Sequence, residues 1–145
     1  MTLHTYKVKA SRELLAMLAE YAEIMRPSEA CGVVAFEPPA VQGWRARRFV
    51  PMSNRHPVPS HGFKFDDREL AMITQLYRST YFLGVFHSHV ETTAEPSCVD
   101  REAMRRSDRP FDAPWLIHGV DGLRAWPPYV DEPGSIEFPI RVLAV

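Results

Sequence analysis

The stretch GVFHSHVETTAEPSCVD, residues 84–100, gathers side chains that bind metals and move protons. His87 and His89 stand two apart. If the apolar residues before them form a strand, both imidazoles project from one face at its end. Imidazole is the commonest nitrogen ligand of zinc. Two such nitrogens leave a tetrahedral ion needing one more protein ligand and an open position for water. Asp100 follows after a polar loop long enough to bring a helix start back to the strand end. Each part is weak by itself. A His-x-His in a strand says little, and Ser97-x-x-Asp100 ahead of a helical stretch reads as a capping box. The two readings of Asp100 are compatible, because a helix start favours a negative charge.

The whole pattern is more specific. His-Ser-His is followed by seven residues and then Ser-x-x-Asp, with Pro96 just before the serine. Upstream, RPSEACGVVAF places Glu29 immediately ahead of an apolar run. This set resembles the JAMM (MPN+) metalloprotease family, in its compact prokaryotic branch, over residues 7–126. The resemblance implies one zinc ion per chain, held by His87, His89 and Asp100. It implies Glu29 as general base and Ser97 as hydrogen-bond donor to the oxyanion. SEACG is close to the family's usual context for that glutamate. Val90 stands where the family often has proline, a change expected to affect loop stiffness more than chemistry. Segment 53–65, which includes His56, His61 and Phe63, sits where relatives carry a substrate-binding insertion. The resemblance implies that it clamps an extended peptide tail, with strand addition as one route.

The activity so implied is hydrolysis of the amide bond after the C-terminus of a ubiquitin-like or sulfur-carrier protein with a Gly-Gly-type tail. Deconjugation from lysine, precursor processing and release of cysteine differ only in the leaving group, and the sequence does not separate them. The alternative is a non-catalytic MPN-type scaffold; such members have lost the metal ligands, whereas all five positions are present here. A zinc deaminase, on a related fold, needs His-x-Glu and Pro-Cys-x-x-Cys. Here PSCVD has serine at the first of those cysteines.

Positioning this set requires particular elements. YFLGVFHSH, 81–89, is aromatic and apolar and predicts a central strand. CVDREAMRR predicts a helix starting near Ser97, and ACGVVAF, 30–36, a buried strand. Ser11 is a plausible cap for RELLAMLAEYAEIM, where Leu14, Leu18, Tyr21 and Met25 recur at helical spacing until Pro27. WRARRFVPM, 44–52, alternates as a strand does. Pro57, Pro59 and Gly62 make 53–63 an irregular loop. Asp66 with Glu69 resembles a capping box opening RELAMITQLYRS, whose apolar face is Leu70, Ile73 and Tyr77. APWLIHGVDGLRAW, 113–126, predicts a hairpin turning on Val120, Asp121 and Gly122. A short strand at 5–9 and a last one at 135–145, with Pro139 marking an edge or bulge, complete the reading. Strands and helices interleave without strict alternation, which predicts an α/β chain with a mixed β-sheet packed against helices. The resemblance makes this the MPN/JAMM fold, related to that of cytidine deaminases.

The 145 residues suit a single domain spanning 1–145. A net charge of −1 argues against a dedicated nucleic-acid binder. No run of about 18 apolar residues exists, so no membrane span is expected. The N-terminal residues lack an apolar signal core, and the expected location is cytoplasmic. The two cysteines, Cys31 and Cys98, are too few for a disulfide framework or a four-cysteine zinc site. They read as reduced thiols, the sharper alternative being a regulatory pair flanking one site. His4 lies near the terminus and His118 in a predicted strand, where a satisfied core role is expected. Trp44, Trp115 and Trp126 are read as packing residues.

Overall fold

The computed structural model describes residues 7–40, 43–106, 111–127 and 141–145. Its elements run β1 (Lys7–Ala10), α1 (Arg12–Met25), β2 (Cys31–Phe36), β3 (Trp44–Met52), α2 (Asp67–Tyr77), β4 (Phe82–Ser88), α3 (Cys98–Arg106), β5 (Trp115–Gly119), β6 (Gly122–Trp126) and β7 (Arg141–Ala144). The strands form one seven-stranded sheet in the order β6-β5-β4-β2-β3-β1-β7. Pairs β4–β5, β1–β3 and β1–β7 are parallel, and the rest are antiparallel. The α/β mixed sheet is thus the observed architecture. His4, Pro139 and the 135–140 part of the predicted last strand lie outside the described residues.

Helix α1 covers one face. Ser11 caps it by accepting the Leu14 N–H at 3.0 Å, and Leu14, Leu18 and Ala22 are buried. These meet Val34, Phe36 and Phe86 from the sheet, and Leu123 of β6 and Val142 of β7 pack against the same cluster. Strand β2 is buried along its whole length. Its alternate residues Cys31, Val33 and Ala35 face the other side, against Leu70, Ile73 and Tyr77 of α2. A continuous apolar run is what a strand covered on both faces requires. Met104 of α3 packs on that second side with Val85, Trp115 and Ile117. No helix among the described residues is long and apolar enough to cross a membrane.

The cap of α2 differs from expectation in one respect. Asp66 accepts from the N–H groups of Arg68 and Glu69. Glu69 does not reach back to complete the box; its carboxylate accepts the Ser53 N–H at 3.0 Å. That bond ties the helix to the start of the 53–65 loop, a tertiary partner that outcompetes the local one.

Register decides the site. Antiparallel pairing sets Cys31 of β2 opposite His87 of β4. Residues just before β2 therefore lie beside residues just after β4. Ser88 locks this corner, its N–H donating to the Ala30 carbonyl at 3.0 Å and its hydroxyl accepting the Ala30 N–H at 2.8 Å.

Candidate metal centre

His87 is the penultimate residue of β4, and His89 lies one residue beyond the strand's last member, Ser88. Pairing continues past that point, since the His89 N–H donates to the His118 carbonyl at 2.7 Å. Both histidines therefore keep the strand's alternation and face the same side. Asp100 arrives from the first turn of α3. Nε2 of His87 and Nε2 of His89 are 3.2 Å apart, and they lie 3.1 Å and 3.0 Å from Oδ2 of Asp100. The three side chains are 0%, 8% and 7% exposed, so water does not screen them.

This donor set fits a cation. Three ligand atoms of a tetrahedral zinc ion, at about 2.0–2.1 Å each, lie about 3.3 Å from one another. The observed edges are within a few tenths of that. The tautomer agrees. Nδ1 of His89 is 2.7 Å from the Thr93 carbonyl, which can only accept, so Nδ1 carries the hydrogen. Nε2 of a neutral His89 then aims a lone pair at a carboxylate oxygen, an arrangement that needs a proton or a metal between them. The electrostatics report the same tension. Burial disfavours charge on His89, yet the bonds to Asp100 and Thr93 raise its pKa. Burial likewise opposes the Asp100 anion, but the two histidines and the Ser97 N–H hold its carboxyl well below the usual carboxylate range. A metal taking this place displaces the His89 proton, so uptake strengthens as pH rises.

Ser97 and Asp100 form a reciprocal cap, Ser97 N–H to Oδ2 at 2.9 Å and Asp100 N–H to the Ser97 hydroxyl oxygen at 3.1 Å. The hydroxyl accepts in this cap, which leaves its own hydrogen free to donate elsewhere. Capping and donation to a substrate oxygen are compatible in one residue.

Glu29 is buried and lines the same cleft as His89, Ser97 and Asp100. Burial pushes its carboxyl up to about 7, with His89 lowering it and Asp100 raising it. Its backbone is held by loop 53–65: Glu29 N–H donates to Pro59 at 2.7 Å, and the Asn54 amide donates to the Glu29 carbonyl at 3.0 Å. Asn54 also takes the His56 and Lys64 N–H groups on its oxygen and gives a bond to Gly62. An asparagine ahead of a Pro- and Gly-rich loop is a known turn organiser, and that signal was present in the sequence.

The cleft is about 800 Å³, and His56, His61 and Phe63 all line it. Phe63 stacks on His87 with ring centroids 4.5 Å apart, and Trp115 stands edge-on to the same imidazole at 5.8 Å. Trp115 thus lies against the site as well as in the core. Trp44 packs between Phe36 and Phe82, and Trp126 donates to the Ala94 carbonyl at 2.8 Å. His118 shares its face with Ser88, its register partner, and so points away from His87. Val90 is tethered through its carbonyl by Arg26 at 3.1 Å, which restrains the loop where a proline would have. Cys31 is buried and Cys98 exposed, both as free thiols.

A family model described as prokaryotic homologs of the JAB domain matches residues 11–129. None of the curated proteins matches the chain. Among solved structures it is similar to the solution structure of protein DSY2949 from Desulfitobacterium hafniense. The two share 20% identity over 95% of this chain and 92% of that one, with a TM-score of 0.73.

Proposed function

The chain belongs to the prokaryotic homologs of the JAB domain, and from that premise we propose that it is a zinc-dependent peptidase or isopeptidase. The observation that carries this reading is geometric: His89 and Asp100, two members of the convergent His87–His89–Asp100 donor set, line one cleft with the buried carboxyl of Glu29. The chemistry a zinc ion supplies at such a site is a bound water acidified to a pKa of about 7 and a polarised carbonyl.

The chain's own residues divide the remaining work. His87, His89 and Asp100 would hold the ion. Glu29 accepts the proton of the attacking water and returns it to the leaving amine; a carboxyl near neutrality exchanges a proton in both directions. The Ser97 hydroxyl donates to the carbonyl oxygen as negative charge builds there. Loop 53–65, with His56, His61 and Phe63, forms the wall against which an extended tail lies. The substrate class proposed is a ubiquitin-like or sulfur-carrier protein ending in a Gly-Gly-type tail, with lysine or cysteine as the leaving amine.

The test is direct. Purified protein should contain about one zinc per chain and should cleave a modifier ending in Gly-Gly from a fused lysine or cysteine. Zinc-free, inactive wild-type protein would instead favour a scaffold role.

Ser97 offers a separate prediction. Removing an oxyanion donor typically costs about 10²–10³ in rate. Ser97→Ala should lose that much activity with zinc retained, and about 1 kcal/mol of stability through the lost cap. Ser97→Gly costs a cap only a few tenths of a kcal/mol, so it should unfold near wild type while showing the same rate loss. Wild-type rates in the glycine variant would confine Ser97 to capping.

A further inference from the structure

The two histidines are held in different ways. His87 is fixed by packing between Phe63 and Trp115, and its Nδ1 has no hydrogen-bond partner among the described residues. On the side of its ring away from His87 and Asp100, His89 is held by a hydrogen bond from Nδ1 to the Thr93 carbonyl. The orientation of its imidazole therefore depends on where the backbone at Thr93 sits.

That backbone rests on the tip of the β5–β6 hairpin. The Val120 N–H donates to the Thr92 carbonyl at 2.9 Å. The Ala94 N–H donates to the Asp121 carboxylate at 2.7 Å. Asp121 is itself paired with Arg124, which also reaches Glu95 at 3.7 Å. Contact is closest at Gly119, where a Cβ would lie 2.4 Å from both the Ala94 nitrogen and the Thr93 carbonyl carbon, and 2.7 Å from the Thr92 oxygen. All three are main-chain atoms, so no side chain can swing aside to make room. The hairpin thus touches the loop on both sides of Thr93 and beneath it.

We propose that Gly119 and Asp121 are positioning residues for His89: the hairpin tip sets the Thr93 carbonyl, and through it the ring that faces Asp100. For Asp121 the effect is on metal affinity rather than on the fold. A hydrogen-bond acceptor on the far nitrogen of a ligating histidine fixes its tautomer and direction, and losing such support commonly costs 10–100-fold in affinity. This inference rests on the metal-binding reading above.

The test measures zinc affinity by competition with a chromogenic chelator, alongside thermal unfolding of the metal-free protein. Gly119→Ala and Asp121→Ala should each weaken zinc by about 10–100-fold. Asp121→Asn keeps an acceptor for the Ala94 N–H and should bind within about threefold of wild type. Metal-free unfolding temperatures of the Asp121 variants should stay close to wild type, which separates positioning from general destabilisation. If Gly119→Ala does not fold, the Asp121 pair carries the comparison. Unchanged zinc affinity in Asp121→Ala would overturn the positioning role and leave the metal site standing. A wild-type chain that takes up no zinc would overturn both.

Discussion

Glu29→Gln should keep about one zinc per chain and lose about 10²–10⁴ in turnover, the range that a positioned acid–base group contributes. The substitution preserves size and hydrogen-bonding capacity, and Glu29 is not among the three converging donors. Metal content by elemental analysis and single-turnover cleavage separate the two effects. Wild-type turnover would remove Glu29 from proton transfer; loss of zinc would make it a ligand instead. The pH dependence of the metal-free protein gives an independent reading. Burial raises this carboxyl from 4.5 to about 7 in the folded chain. Between those values the folded chain binds the proton more tightly than the unfolded one, so the group's contribution to stability falls as pH rises. Glutamine mimics the protonated form. Metal-free Glu29→Gln should therefore unfold at a higher temperature than wild type above pH 7, with the gap closing below about pH 4.5. A gap that widens toward acid would contradict a carboxyl raised by burial.

Loss of a ligand should have the other large effect. Structural zinc sites bind with about 10–16 kcal/mol in all, which assigns a few kcal/mol to each ligand and about 10²–10³ or more in affinity. His87→Ala should fall at least that far and lose cleavage with the metal. His87 is fully buried and carries Phe63 on its face, so this variant also opens a void. Asp100→Asn avoids that objection, because it keeps the side chain's shape and an oxygen for the Ser97 N–H while removing the anion. Zinc loss in both, with circular dichroism unchanged in Asp100→Asn, is the expected outcome. Stoichiometric zinc in both variants would place the metal elsewhere.

Much of this was legible along the chain because it depends on neighbours in sequence. The spacing of Leu14, Leu18, Tyr21 and Met25, the Ser11 and Asp66 caps, and the hairpin turn each follow from periodicity or local hydrogen bonding; Leu14 and Leu18 are buried and Tyr21 and Met25 pack half-buried beside them. The pairing of His87 with His89 is of the same kind, since strand alternation alone puts two such residues on one face. Glu69 shows where local reading stops. Its spacing from Asp66 is right for a capping box, yet its carboxylate bonds to Ser53, which no local pattern encodes. Asn54 carries a local turn signal in its Pro- and Gly-rich surroundings, but its bond to the Glu29 carbonyl is long-range and belongs to the fold.

Local pattern names the residue types available, the strand that carries the histidines and the helix start that carries Asp100. That these meet with edges of 3.0–3.2 Å is a property of the folded chain. Folding also brings Glu29 to them, through the antiparallel register of β2 on β4. It sets the hairpin tip, at Gly119, against the loop whose Thr93 carbonyl bonds to His89. The physical reason is the range of the forces involved. Capping and alternation act within a few residues and leave a mark on the sequence. Strand order and register are settled by how the whole apolar surface is buried, and one slip of register would turn His87 and His89 to the opposite face.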